Sequence, residues 1–165
     1  MKILIMGLPG SGKTSLAREL QKVLDAVWWN ADEVRDNVNA HLGFTEDDRL
    51  QQARSMGWLC STVSDCGKIA IADFVCPTPK TREAFGEPDV LVWMNTIDAS
   101  RFEDTNKVFV SPGNPDIIID YFDIIPSERD TQKPDANTMN RAIREVLRVI
   151  DEKHNANRIG GNPPE

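Results

Sequence analysis

Near the N-terminus, Gly7-Leu8-Pro9-Gly10-Ser11-Gly12-Lys13-Thr14 sets three glycines, a lysine and a hydroxyl in the spacing GxxxxGK[ST]. The chemistry this spacing allows is the holding of a polyphosphate. Glycines let backbone N–H groups close on an anion, and a helix beginning at the lysine adds its positive end. Lys13 is expected to bridge the β- and γ-phosphates, Thr14 to offer its hydroxyl to Mg²⁺, and Ser15 to complete the nucleotide-contacting run.

Two further groups of residues could complete such a site. Lys68-Ile69-Ala70-Ile71-Ala72-Asp73 ends an apolar run on a carboxylate, the position expected of a metal-side acid beside a phosphate loop, although an aspartate there can equally cap the following turn. The stretch NADEVRDNVNAHLGFTEDDR, Asn30 to Arg49, interleaves acids with two arginines and one phenylalanine. Arg35 and Arg49 can pair bidentately with phosphate or sulfate oxygens, and Phe44 offers a face to a ring. For each of these residues a plain structural role is also open: a solvated helix start for Arg49, a core anchor for Phe44.

These residues need a scaffold that brings them together. Apolar runs at 2–6, 26–29, 69–72, 90–94 and 117–120 alternate with helical patterns, one of them carrying Leu16, Leu20, Val23 and Leu24, another Ala53, Met56, Cys60 and Val63. Strands alternating with helices predict an α/β fold with a mainly parallel sheet covered on both faces, and ligands in such sheets lie outside the carboxyl ends of the strands. Thr45 and Asp48 form a capping box for the long middle helix, and Gly67 is expected to end it. A last helix is expected after Pro134-Asp135, burying Met139, Ile143, Val146, Leu147 and Ile150. The reading is one domain over 1–154 and a frayed tail over 155–165, where glycines and prolines replace periodicity.

Composition excludes several classes of function. At 165 residues the chain is large enough to bury roughly two thirds of its unfolded surface without a disulfide or metal. A formal net charge of −7 argues against nucleic acid as a partner. Cys60, Cys66 and Cys76 are odd in number, lack CxxC spacing and have no histidine near them, and read as reduced core residues. The apolar start is too short for a signal peptide or a membrane span, so a cytoplasmic protein is expected. A GTPase is disfavoured: Asn95-Thr96-Ile97-Asp98 lacks the lysine of NKxD, and DxxG does not occur.

Asn30-Ala31-Asp32-Glu33-Val34-Arg35, then Leu42-Gly43-Phe44, then Arg49, resembles the adenylyl-sulfate kinase family, whose pattern runs DGDxxR, LGF and a downstream arginine and asparagine. Phe74-Val75-Cys76-Pro77 followed by Arg82 resembles that family's F-[IV]-S-P-x₄-R. The resemblance covers roughly the first half of the chain. It implies a P-loop, nucleoside-monophosphate-kinase-like fold with a five-stranded parallel sheet ordered 2-3-1-4-5. It further implies transfer of the γ-phosphoryl group of ATP, with Mg²⁺, to the 3′-hydroxyl of adenosine 5′-phosphosulfate.

On that resemblance Lys13, Asp32 and Asp73 are the catalytic candidates, and Asp32, Arg35, Phe44, Arg49, Gln52, Phe74 and Val75 line the acceptor side. A homodimer is compatible with it. The chain departs from the pattern at Asn30, where the family has the first aspartate of DGD, and at Gln52, where it has asparagine. An amide cannot take a proton, so Asp32 or Asp73 must do so. The family's lid sequence RDxKGLY is absent; Arg101-Phe102-Glu103-Asp104-Thr105-Asn106-Lys107-Val108-Phe109 stands in its place, with Arg101 and Lys107 as its cations. A kinase of another phosphorylated or nucleotide acceptor, or an ATP-binding module of low turnover, stays open.

Overall fold

The structure, a computed structural model, describes residues 1–121, 124–125 and 133–159. Strands β1 (Lys2–Gly7), β2 (Val27–Asn30), β3 (Ala70–Phe74), β4 (Val90–Met94) and β5 (Ile117–Ile119) form one sheet in the order β2-β3-β1-β4-β5. Every pairing in it is parallel. This is the predicted order, with the glycine-rich loop leaving the central strand β1. A separate two-stranded antiparallel pair joins β6 (Ile124–Ile125) to β7 (Lys133–Pro134).

Alternation along the strands divides the core between the two faces. Ile3 and Ile5 of β1 pack with Ile71, Val92, Leu16 and Leu20 under α1 (Lys13–Leu24) and the last helix; Leu4 and Met6 pack with Ala70, Ala72, Ala53, Met56 and Cys60 on the opposite face. Burial on both faces is complete for β3 and, past Lys2, for β1, whereas β4 leaves Leu91 and Trp93 half-buried. At the edge strands β2 and β5 it is less complete: Val27 and Ile118 are exposed.

Helices α2 (Ala31–Asn37), α3 (Glu46–Asp65), α4 (Pro79–Phe85) and α5 (Glu103–Val108) supply the rest of the scaffold. The expected capping box is present at α3: Asp48 N donates to Thr45 Oγ1 at 3.2 Å, and Thr45 N to Asp48 Oδ2 at 3.2 Å. Gly67 follows the helix at φ +73°, a left-handed turn that glycine adopts without steric cost. Where α3 crosses α4, a Cβ on Gly57 would lie 2.1 Å from the Phe85 carbonyl oxygen, so only glycine permits that approach.

Three expectations change. Cys60 and Cys76 are core residues, their thiols pushed up to about 12 by burial, but Cys66 is exposed because it sits at the C-cap of α3. The last helix, α6 (Ala136–Ile159), starts where expected and buries Met139, Val146 and Ile150. Ala142 and Val149 are buried as well, whereas Ile143 and Leu147 are half-buried at the margin of the contact. α6 continues to Ile159, into the segment read as a tail, and residues 160–165 lie outside the described residues.

Candidate active site

The phosphate loop is set by two left-handed glycines, Gly10 at φ +87° and Gly12 at φ +94°, and Gly12 is the N-cap of α1. A Cβ on Gly7 would meet the Met94 carbonyl oxygen at 2.4 Å, so the loop lies against β4. Thr96, just past β4, braces it by donating its hydroxyl to the Ser11 carbonyl at 2.8 Å. Lys13 is buried, and its Nζ donates to the Leu8 carbonyl at 2.9 Å, inside the curve of the loop. Burial pulls its pKa down to about 8, against the opposing pull of Asp73 and, more weakly, Asp32.

Asp73, the penultimate residue of β3, lies beside Asn30 of β2, its partner in the parallel register. It is 2% exposed. Its Oδ2 accepts from Thr14 Oγ1 at 2.7 Å, and its Oδ1 from Trp28 Nε1 at 2.9 Å and Asn30 Nδ2 at 3.0 Å. Desolvation raises its pKa, while the donors from Thr14 and Trp28, the charge of Lys13 and the amide of Asn30 hold it back. The oxygens of Thr14 and Asp73 fit a hard divalent cation that takes its remaining ligands from phosphates and water. Among the described residues no group of three or more His, Cys, Asp or Glu side chains forms a cage for a metal.

Asn30 also opens α2. Its Oδ1 accepts from the N–H groups of Asp32 and Glu33 at 3.0 and 3.1 Å, so an amide serves two sites at once, donating to Asp73 and capping the helix that carries Asp32 and Arg35. Farther along, Arg35 Nη1 donates to the Gly43 carbonyl at 2.6 Å, and its guanidinium lies 4.6 Å from the Phe44 ring centroid. Arg49 lies 5.7 Å from the same ring and donates to the Phe44 carbonyl at 3.0 Å. Its far end meets α5, with Asp104 at 3.2 Å and Thr105 Oγ1 at 3.4 Å.

One cavity of about 430 Å³ collects these groups. Pro9, Gly10, Lys13 and Thr14 line one side, and Asp32, Arg35, Phe44, Arg49 and Gln52 the other; Asp73, Phe74 and Val75 lie on the wall as well. Phe44 is 65% exposed, a ring face at the rim and not a core anchor. Gly7, Leu8, Ser11 and Gly12 shape the loop and Ser15 lies in the first turn of α1; none of the five lines the cavity. Gln52 is buried and held on both ends, its Nε2 donating to the Ala31 carbonyl and its Oε1 accepting from Asn39, each at 2.9 Å.

The two lid cations separate. Arg101 lines the cavity beside Phe102, whereas Lys107 is exposed on the last turn of α5 and is not part of the wall. Arg82, part of the motif resemblance, binds the carbonyls of Cys76 and Val110 at 3.2 and 3.0 Å and so ties the turn after β3 to the segment after α5. Trp28, Thr96, Phe102, Asp104 and Thr105 are site residues that sequence reasoning missed. Only Trp28 had a legible signal, since positions 28 and 30 of one strand share a face.

A parallel sheet in this order, with a glycine-rich loop after its central strand and a carboxylate on the loop threonine, defines the fold of the P-loop kinases. The chain belongs to the adenylyl-sulfate kinase family: that family's model, described as adenylylsulphate kinase, matches residues 1–90. Over 90 residues the chain is 38% identical to the bifunctional enzyme CysN/CysC of Rhodopirellula baltica, covering 52% of this chain and 14% of that protein. It is 30% identical over 121 residues to an adenylyl-sulfate kinase of Clostridium kluyveri, covering 67% of this chain and 61% of the relative. The chain thus spans less than two thirds of the length of either relative. In fold it is similar to the Mycobacterium tuberculosis APS kinase CysC solved with AMPPNP and APS, with a TM-score of 0.69 at 19% identity over 91% of this chain and 96% of that one. No helix among the described residues is long and apolar enough to cross a membrane.

Proposed function

We infer that this protein is an ATP-dependent, Mg²⁺-requiring kinase that moves the γ-phosphoryl group of ATP to the 3′-hydroxyl of adenosine 5′-phosphosulfate. One observation carries the reading: the phosphate loop and the motif residues Asp32, Arg35, Phe44 and Arg49 open into the same cavity, as donor and acceptor must for a direct transfer. Family membership supports the substrate.

In this reading Lys13 neutralises charge on the β- and γ-phosphates while the loop amides hold them in line. Mg²⁺, held by Thr14 and Asp73, would supply charge stabilisation at the transferring group. Asp32 orients the acceptor hydroxyl and takes its proton as the new oxygen–phosphorus bond forms and the bond to the leaving ADP oxygen breaks. Arg35 and Arg49 pair with the acceptor's anionic end, Phe44 stacks on its ring, and Arg101 supplies the cation of the shortened lid. The partners are small molecules, and the reading carries with it a cytoplasmic location and allows a homodimer.

The test is a pair of assays run side by side, ADP release and 3′-phosphorylated product, with adenosine phosphosulfate, nucleoside monophosphates and phosphosugars as acceptors. Expected is product from adenosine phosphosulfate alone, with ADP in some excess because a short lid excludes water less well. Product from a different hydroxyl compound would mean a kinase whose acceptor has changed. Nucleotide binding without any product would mean an ATP-binding module.

A further inference from the structure

The donor side contains a residue that neither the motif nor the family resemblance assigns. Trp28 and Asn30 stand two positions apart on β2 and therefore share a face of the sheet; in register they pair with Ile71 and Asp73 of β3. The indole of Trp28 thus reaches along the face to a diagonal neighbour, and its Nε1–H donates to Asp73 Oδ1 at 2.9 Å. The ring is fixed from above by the Arg18 guanidinium, 5.9 Å from its centroid, and rests against the core formed with Ile71 and Leu20.

The two oxygens of Asp73 are consequently unlike. The Asn30 amide straddles both, at 3.0 Å from Oδ1 and 3.2 Å from Oδ2, so what distinguishes them is that Oδ1 alone accepts from the Trp28 indole and Oδ2 alone from the Thr14 hydroxyl. An indole is a donor only and does not titrate, so it cannot exchange roles or compete with Asp73 for a cation. It holds the carboxylate in one rotation, with Oδ2 kept on the side of the phosphate loop.

The geometry points to Trp28 as a positioning residue for the donor's metal ion, acting through Asp73 and never touching the nucleotide. This rests on the nucleotide half of the function inferred above and is independent of the acceptor. A phenylalanine at 28 keeps most of the packing but drops the donor, leaving Oδ1 with the Asn30 amide alone and the rotation of Asp73 less firmly fixed. Loss of one hydrogen bond to a charged group is then read as a change in metal requirement.

The experiment measures binding of a non-hydrolysable ATP analogue across a Mg²⁺ titration and with EDTA, for the natural protein, Trp28→Phe and, as a control, Trp58→Phe, whose ring is exposed on α3 outside the cavity. Expected is a rise of about tenfold in the Mg²⁺ needed for half-maximal binding in Trp28→Phe, with metal-free binding unchanged and the control unaltered. In the natural protein the Trp28 indole N–H resonance, assigned through its backbone, is expected to move when Mg²⁺ joins the bound analogue and to stay when Mg²⁺ is added alone. The resonance keeps the test decisive if Trp28→Phe does not fold. Tight, Mg²⁺-dependent binding with an unmoved resonance, or with the same Mg²⁺ requirement in Trp28→Phe, would overturn the role of Trp28 and leave the kinase reading standing. No binding of the analogue under any condition would overturn both.

Discussion

On the phosphate-loop side of the cavity, the proposed donor side, Asp73 is 2% exposed and accepts from Thr14, Trp28 and Asn30, whereas on the opposite, proposed acceptor side Phe44 is 65% exposed and Arg49 pairs with Asp104, whose side chain is 70% exposed. The two sides are ordered by different means. A buried carboxylate without donors costs several kcal/mol, so the donor side is held in one arrangement before any nucleotide arrives. In the Arg49–Asp104 pair the arginine side chain is only 15% exposed but the carboxylate is open to water, which screens the contact, so an incoming anion can displace Asp104 more cheaply than any group could displace the donors of Asp73. Preorganisation suits the chemistry common to all P-loop kinases, and exchangeable contacts suit the part that chooses an acceptor.

The largest effect expected is on the donor side. Lys13→Ala should lower turnover at least about a hundredfold, since it removes a fixed charge aimed at the transferring group, while thermal unfolding still shows a folded domain. Unchanged turnover would break the assignment of the phosphate loop.

Next come the arginines opposite. Arg35→Ala and Arg49→Ala should each weaken acceptor binding by roughly 1.5–3 kcal/mol, with affinity for the ATP analogue nearly unchanged, as isothermal titration of each ligand would report. Equal losses for both ligands would move these residues to the donor side and dissolve the contrast.

A smaller effect sharpens the acceptor side further. Because Arg101 lines the cavity and Lys107 does not, Arg101→Ala should lower turnover at least about tenfold and Lys107→Ala should leave it unchanged. The reverse pattern would mean that α5 moves to bring Lys107 inward when ligands bind.

The smallest effect is a fraction of a proton. Burial holds Lys13 at about 8 in the folded protein, below its ordinary 10.5, so between those values it is neutral when folded and protonated when unfolded. The unfolded chain then binds more protons, and this lysine's contribution to stability rises with pH across that window; below about pH 8 both states are protonated and the dependence disappears. In the proposed function the phosphates of bound ATP would restore the ammonium form. Calorimetry at about pH 9 in buffers of different ionisation enthalpy should therefore show proton uptake on binding the ATP analogue, and Lys13→Met should abolish it.

What the sequence determined by itself was local in origin. The glycine-rich loop, the capping box of Thr45 and Asp48, the start of α6 and the alternation of strands with helices follow from residues within a turn or two of one another. Sheet order came with the family resemblance, and it agrees. Tertiary structure decided the rest, because contacts between distant segments leave no periodic trace. Cys66 reads like Cys60 in composition yet caps a helix in solvent. Gln52 carries an acceptor-like amide yet is held by Ala31 and Asn39. Arg101 and Lys107 are equivalent as letters, and only the packing of α5 against Arg49 makes one of them part of the site. Trp28 reaches Asp73 only because β2 and β3 pair in the register they do, a long-range choice fixed by which apolar faces must be buried together.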